Sequence, residues 1–249
     1  VSRRSSQLML NQFFVSHLPT SGEVIVDGDE AHHALKVLRI KVGERIRLSD
    51  GIKSFAEVEV ITIGKSQFTC SIKSYGEVSP ERIHLTVVQA LPKSDRIKET
   101  LELLTEGGVS EIIPWQAERS IAQWQSDSES KWNSAVREAS KQSRRVIIPK
   151  VSSRKNSLDV MTALADADFV LVFHESETQQ LSQVLEKIST KNISRLAIII
   201  GPEGGISERE LAEFLAGGAI AVRMGEPIFR AAHAGVAALA AVQAGLRLW

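Results

Sequence analysis

Apolar and polar residues alternate along the chain up to about Gly76. GEVIVDG, ERIRLSDG, FAEVEVITIG and FTCSIKSYG each repeat with a period of two and end at a glycine or an Asp-Gly turn, the pattern of half-buried strands joined by tight turns. One stretch between them, DEAHHALKVLRI, carries Ala34, Leu35 and Leu38 at helical spacing. The expectation is a small β-barrel or sandwich. GEVSPER, around Pro80, reads as a linker. Beyond it the period changes. RIHLTVVQAL, VSEIIPW, FVLVF, LAIIIG and AIAVRMG are continuous apolar runs, alternating with the helical stretches KSDRIKETLELLTEGG, SESKWNSAVREASKQSRR, SLDVMTALADA and SERELAEFLAGG and closing on a long Ala-rich helix. Such runs between helices predict a parallel sheet covered on both faces. Ser94 is the expected cap of the first of these helices and Gly107-Gly108 its stop. Two domains, β then α/β, follow.

Composition changes little in this picture. The 249 residues suffice for two small cores, 43% hydrophobic and 24% charged content are ordinary for a globular chain, and the formal net charge is zero. Cys70 is the one cysteine, which excludes an internal disulfide and a multi-thiolate metal site; it reads as a small buried strand residue. VSRRSSQLML is basic but lacks a long apolar core, so no signal peptide is expected. Ala231–Trp249 is long enough to span a bilayer but too weakly apolar, with His233, Gln243 and Arg247 inside it; a packed helix and a cytoplasmic protein are expected.

The chemistry concentrates in IIIGPEGGISERE, Ile198 to Glu210. A buried strand ends at Gly201, and Ser207 with Glu210 makes a capping box for the next helix. Gly201–Gly205 is then a loop at the carboxyl edge of a parallel sheet, where ligands of open α/β folds collect and where glycines let main-chain groups approach a ligand. A plain strand-to-helix turn explains the loop equally well. GxGxxG and GxxxxGK[ST] are both absent, which disfavours an ordinary nucleotide-dependent α/β enzyme. A second strand, Ala219–Met224, ends at Gly225 and runs through Pro227 into the last helix. Two such corners facing one crevice would suit a flat heterocycle held by main-chain groups.

GPEGGISERE, followed after one helix by MGEPIFR and an Ala-rich terminal helix, resembles the SPOUT class of trefoil-knotted methyltransferases, and more narrowly the RsmE family, which methylates the imide nitrogen (N3) of one uridine in 16S ribosomal RNA. HHALKVLRIKVGERIRLSDG is similar to that family's PUA-like barrel, LPKSDRIKETLELLTEGGVSEIIPW to the start of its catalytic domain, and EASKQSRRVIIP to its central basic helix. The resemblance implies a PUA-like β-barrel RNA-binding domain over residues 1–79 and a knotted SPOUT domain over 80–249. It also implies S-adenosyl-L-methionine as methyl donor and a homodimer formed through the knotted domains, with no metal and no membrane. Donor binding carries over to Gly201, Glu203, Gly204 and Gly205, and to Met224, Gly225, Ile228, Phe229 and Arg230. Two departures stand out. The family continues with Thr-Glu-Thr after the arginine, where this chain has Ala231, Ala232 and His233; and its Leu-Gly pair is here Gly107-Gly108, which would loosen the helix end.

A uracil imide is a poor nucleophile until its proton leaves, so the site must supply a base or cationic donors for the anion. Arg230 is the candidate for anion stabilisation, or for a salt bridge at a helix start. Glu203 is a candidate base, but its place near a helix N-terminus favours the charged form and so a structural or donor-orienting role; His233 titrates in the right range but also suits a packed helix. RNA would be met by cations: Lys36 and Arg39 in one basic run, Lys141, Arg144 and Arg145 in another, and Lys93 and Arg96 beside the catalytic strands. The two runs are expected one per domain. Trp115, Trp124 and Trp132 read as core or interface residues. Three readings remain: the uridine methyltransferase acting on the assembled small subunit, a knotted methyltransferase with another RNA target, and a non-catalytic RNA-binding module with a degenerate donor site.

Overall fold

A computed structural model describes residues 10–249; the basic N-terminal stretch, with the question of a signal peptide, lies outside the described residues. The alternating stretches form strands β1 (Gln12–Phe14), β2 (Glu23–Val26), β3 (Arg45–Ser49), β4 (Ser54–Ile63) and β5 (Phe68–Glu77), with a short helix α1 (Gly28–His32) running into a π-helical turn, His33–Leu38, after β2. They hydrogen-bond in the order β1-β3-β4-β5-β2, antiparallel except for β1 against β3. The inward set, including Phe13, Val24, Val26, Ile46, Leu48, Val58, Val60, Phe68 and Cys70, closes on Ala31 and Ala34 of the helical insert. Burial pushes the Cys70 thiol up to about 12 and makes it inert.

The rest of the chain supplies β6 (His84–Ala90), α2 (Ile97–Glu106) after a 3-10 turn at Ser94–Arg96, β7 (Glu111–Gln116), α3 (Ser128–Gln142), β8 (Lys150–Val151), β9 (Lys155–Asn156), α4 (Ser157–Ala163), β10 (Phe169–Phe173), α5 (Leu181–Ser189), β11 (Arg195–Ile200), α6 (Glu208–Ala216), β12 (Ile220–Val222) and α7 (Ala231–Gly245). The strands form one sheet, β12-β10-β11-β6-β7-β8 with β9 also on β7, and every pairing is parallel. One face carries Val88, Ala90, Ile113, Trp115, Val172, Ala197 and Ile199 against Val160 of α4 and Phe214 of α6. On the other lies α7, whose buried stripe Ala231, Gly235, Ala238, Leu239, Val242 includes small residues where helices approach. A Cβ on Gly235 would sit 2.6 Å from Leu104 Cδ2 of α2. The expected α/β fold with a mostly parallel sheet is therefore the observed one. No helix among the described residues is long and apolar enough to cross a membrane.

Three local expectations are corrected. Ser94 does not cap α2: it opens the 3-10 turn, and Arg96 occupies the cap with no side-chain bond. The Gly107-Gly108 end is not loose, because Gln243 Nε2 donates to the Gly107 carbonyl at 2.7 Å and a Cβ on Gly107 would strike Val236 at 2.9 Å. The two basic runs do not divide one per domain. The chain forms two compact units, 1–80 with Ser140–Ile148, and Glu81–Ala139 with Pro149–Trp249, so Lys141, Arg144 and Arg145 belong with Lys36 and Arg39. Ser49 Oγ donates to the Val146 carbonyl at 2.8 Å, Gln12 Nε2 to that of Arg145 at 2.6 Å, and Ile148 N–H to that of Gly51 at 2.9 Å. These bonds tie a remote segment onto the first sheet, a pairing no local periodicity announces.

Candidate active site

The carboxyl ends of β10, β11 and β12 point their following loops at one region, as parallel strands must. The capping box forms as read: the Glu210 N–H donates to Ser207 Oγ at 3.3 Å, and the Ser207 N–H donates to Glu210 Oε2 at 3.1 Å. Glu210 is wholly buried and its other oxygen accepts from the Glu118 N–H at 2.7 Å and from Ser157 Oγ at 2.6 Å. Burial alone would raise its pKa. The hydrogen bonds from Ser157, Glu118 and Ser207 outweigh that and hold it below the ordinary carboxylate value. One carboxylate thus fixes the far end of the glycine loop to the loop after β7 and to the start of α4.

Two glycines of the loop are required for different reasons. A Cβ at Gly201 would lie 2.7 Å from Ile206 Cγ1, so close packing excludes one. Gly205 has φ +74°, a left-handed backbone that L side chains rarely adopt. Glu203 accepts from the Lys93 N–H at 3.3 Å, and Arg119 donates to the Gly204 carbonyl at 3.2 Å. The loop is therefore stapled to those following β6 and β7.

These turns enclose a cavity of about 560 Å³. Its lining includes Ile200, Gly201, Glu203 and Gly205 from the β11 corner, Ile228, Phe229 and Arg230 from the last loop, Lys93 and Arg96 from the turn before α2, Glu99 from its first turn, and His233 from α7. Met224 and Gly225 line a smaller adjoining cavity of about 220 Å³, and Phe173, Glu175, Ile228, Phe229 and Ala234 border both. The two glycine corners thus meet at one place. Gly204 lines neither cavity, its carbonyl being held by Arg119. Ile228 is 81% and Phe229 47% exposed, apolar surface beside main-chain groups with nothing packed over it. Arg230 caps α7 with extended backbone and makes no ion pair among the described residues, unlike the salt bridge weighed for it.

The RNA candidates separate. Lys93 and Arg96 are on the cavity rim; Lys36, Arg39 and Arg144 are exposed on the other unit, Arg39 and Arg144 both with positive φ. Arg145 is half-buried. Lys141 holds Glu30 at 3.0 Å with side chains only 12% and 10% exposed, so its charge is committed to that pair. Trp115 and Trp132 are buried, and Trp124 leans on Trp132 at 5.4 Å. Sequence reasoning did not single out Arg119, Glu175 or Glu99. The first two follow carboxyl ends of parallel strands, and the edge rule applied to every strand would have found them.

A family model described as an RNA methyltransferase domain matches residues 79–243, and one described as an RNA methyltransferase PUA domain matches 26–73. Ribosomal RNA small subunit methyltransferase E of Mycobacterium bovis is 38% identical over 239 residues, covering 92% of this chain and 90% of that one. This chain belongs to that family. The Bacillus subtilis member is 27% identical, covering 87% and 88% of the two chains. The crystal structure of the Neisseria gonorrhoeae family member, bound to S-adenosyl methionine, superposes with a TM-score of 0.86 at 25% identity, over 96% of this chain and 98% of that one. The RNA methyltransferase family and its PUA-bearing architecture are thereby established for this chain.

Proposed function

We propose that this protein transfers the methyl group of S-adenosyl-L-methionine to N3 of one uridine in 16S ribosomal RNA, within the small ribosomal subunit and in the cytoplasm. The observation that carries this reading is the meeting of the two glycine corners at adjoining cavities bordered by the same loop, Ile228–Phe229. The site fits such a donor. The Gly201–Gly205 turn and the Met224–Gly225 turn offer main-chain groups, and exposed Ile228 and Phe229 offer apolar faces to a flat ring. Glu203 and Glu175 in the lining offer negative charge to a cationic donor. When bound, S-adenosylmethionine supplies a methyl already activated by its sulfonium centre.

The chain's own residues then do the remaining work. Gly201, Glu203, Gly205, Met224, Gly225, Ile228, Phe229 and Arg230 hold the donor, while Gly204, outside both cavities, serves the loop through its bond to Arg119; the loop is fixed in advance by Glu210 and Arg119, so little ordering is left to binding. Arg230, with its guanidinium uncommitted, steadies the negative charge that grows on the uracil as its imide proton leaves. Lys36, Arg39, Arg144 and Arg145 on one unit, and Lys93 on the other, meet phosphates, while Arg96 is bonded to Glu99 at 2.8 Å. Lys141 drops out of this set, its charge being held by Glu30. The proposed assembly is a homodimer through the knotted C-terminal units, for which sedimentation should give twice the chain mass.

The test is tritium transfer from labelled donor to small subunits lacking this methylation, with the modified nucleotide mapped by primer-extension arrest, since a methyl on N3 blocks pairing. Transfer with arrest at one uridine of 16S RNA is expected. No transfer to the subunit or its RNA would overturn the proposal, and arrest at another RNA would reassign its target.

A further inference from the structure

The wall of the cavity built by α2 and α7 carries a linked set of charges with no part in holding the donor. His233 Nε2 lies 3.2 Å from Glu99 Oε1, and the other Glu99 oxygen accepts from Arg96 at 2.8 Å. Arg96 also stands 3.5 Å from Asp95. His233 lies on the first turn of α7, its N–H donating to the Arg230 carbonyl at 2.9 Å. All of these residues line the same cavity as Gly201. The His233 side chain is 45% exposed, so it can both meet a substrate and pass a proton to water.

Resting on the methyl-transfer reading, we propose that His233 is the catalytic base that takes the imide proton of the target uracil, with Glu99 and Arg96 as positioning residues that set its tautomer. The argument is one of donors and acceptors. An ionised carboxylate can only accept, so the His233 nitrogen facing Glu99 must carry the hydrogen, which leaves the lone pair on Nδ1. Glu99 stays ionised because Arg96 first, and His233 second, hold its pKa below the ordinary value. The same carboxylate stabilises the imidazolium once it forms, the role a buried carboxylate plays beside a catalytic histidine elsewhere. The remaining charged groups around the cavity are Lys93, Asp95, Glu175, Glu203 and Arg230.

The step balances. The N3 proton passes to Nδ1, and the electron pair it leaves on N3 forms the bond to the methyl carbon. The pair of the broken carbon–sulfur bond stays on sulfur, and the imidazolium returns its proton to water.

Single-turnover methyl transfer to unmethylated subunits, followed across roughly pH 5.5 to 9 around the histidine range, tests this in wild type, His233→Ala, His233→Gln and Glu99→Gln. Wild type should rise through the histidine range and level off. Both His233 variants should lose about 10²- to 10⁴-fold near neutrality and show no such plateau, added imidazole should restore part of the His233→Ala rate, and calorimetry should find donor affinity within about twofold, since only a proton-transfer group is gone. Glu99→Gln should move the inflection to lower pH, because a carboxylate that favoured the imidazolium is lost. A His233→Ala enzyme with the wild-type rate and profile overturns the assignment of the base alone, as does a rate loss that tracks lost donor affinity and resists imidazole. A wild type that binds the donor but transfers no methyl overturns this assignment together with the reading it rests on.

Discussion

Replacing Glu210 by alanine takes away the acceptor of three donors in a place without solvent. The Glu118 and Ser207 N–H groups and the Ser157 hydroxyl all point at this carboxylate, from 2.6 to 3.1 Å. Each orphaned buried donor costs about 1–3 kcal/mol, and losing half of a capping box costs about 1 kcal/mol more. Some donors will find water, so the expected loss is about 3–5 kcal/mol. In a unit of this size that lowers Tm by about 10 °C or more. Scanning calorimetry of the C-terminal unit's transition checks it. Glu210→Gln keeps the volume and separates charge from packing. Its amide NH₂ faces N–H donors, so about 1–3 kcal/mol should go, and the gap from wild type should depend on pH. The native pKa of Glu210 is depressed, so its carboxylate stabilises the fold fully above the unfolded value. That contribution fades as pH falls through the native value. The two proteins should therefore converge on acidification. A Glu210→Ala shift below about 1 kcal/mol, or a Gln variant parallel to wild type at every pH, would refute the reasoning, because the loop would then be held by something other than this carboxylate.

Gly201→Ala places a methyl 2.7 Å from Ile206 and should cut donor affinity tenfold or more by calorimetry, at a stability cost of about 1–3 kcal/mol for overpacking. Glu111, with His84 Nε2 3.5 Å away and accepting hydrogen bonds from Ser152 and Lys150, has its pKa held down to about 2. Its contribution, on the order of 2–3 kcal/mol, should be complete above about pH 4.5 and lost as pH falls toward 2, and urea midpoints of Glu111→Gln should lack that acid limb. Arg230→Ala should lower the single-turnover rate at saturating donor about 10²- to 10³-fold and weaken donor binding as well, two effects that tritium transfer and calorimetry read separately. Replacing Arg39 and Arg144 together should reduce the steepness of the salt dependence of subunit binding by about 1.4 to 1.8 in log–log slope, as two lost phosphate contacts require.

The elements that could be read from the chain are those whose burial is one-sided and whose ends carry a glycine or a cap. FVLVF is β10 residue for residue, and SERELAEFLA is α6 with its capping box. The helix Leu181–Ser189 escapes the pattern, although Leu181, Val184, Leu185 and Ile188 are its buried face at helical spacing. Its polar neighbours on both sides hid a short pattern. Strand β1 and the short β8 and β9 gave no period to read; they are strands only because β3 and β7 offer them an edge. The return of Ser140–Ile148 to the first unit rests on side-chain bonds spanning 97 and 133 residues, which are tertiary facts.

The site divides along the same line. Its main-chain half was legible, since glycine, proline and a cap at the end of an apolar strand have local causes. Its side-chain half was not, because Glu99, Arg119 and Glu175 come from three separate loops or helices and converge only when the sheet forms. Even within the loop, Gly201 is dictated by Ile206 packing against it and Gly205 by its left-handed backbone; the letters are identical and the reasons are not. This difference has a consequence for substitution. At Gly201 the obstacle is a side chain, so shortening Ile206 to valine, which removes Cδ1 but leaves Cγ1, should relieve little, whereas Ile206→Ala removes the clashing atom and should recover part of the donor affinity lost in Gly201→Ala. At Gly205 the obstacle is the backbone itself, the nearest atoms lying 3.7 Å away or more, so no neighbouring truncation should rescue Gly205→Ala. A double-mutant cycle reading donor affinity distinguishes them, and equal rescue at the two positions would show that the loop's glycines serve one purpose after all.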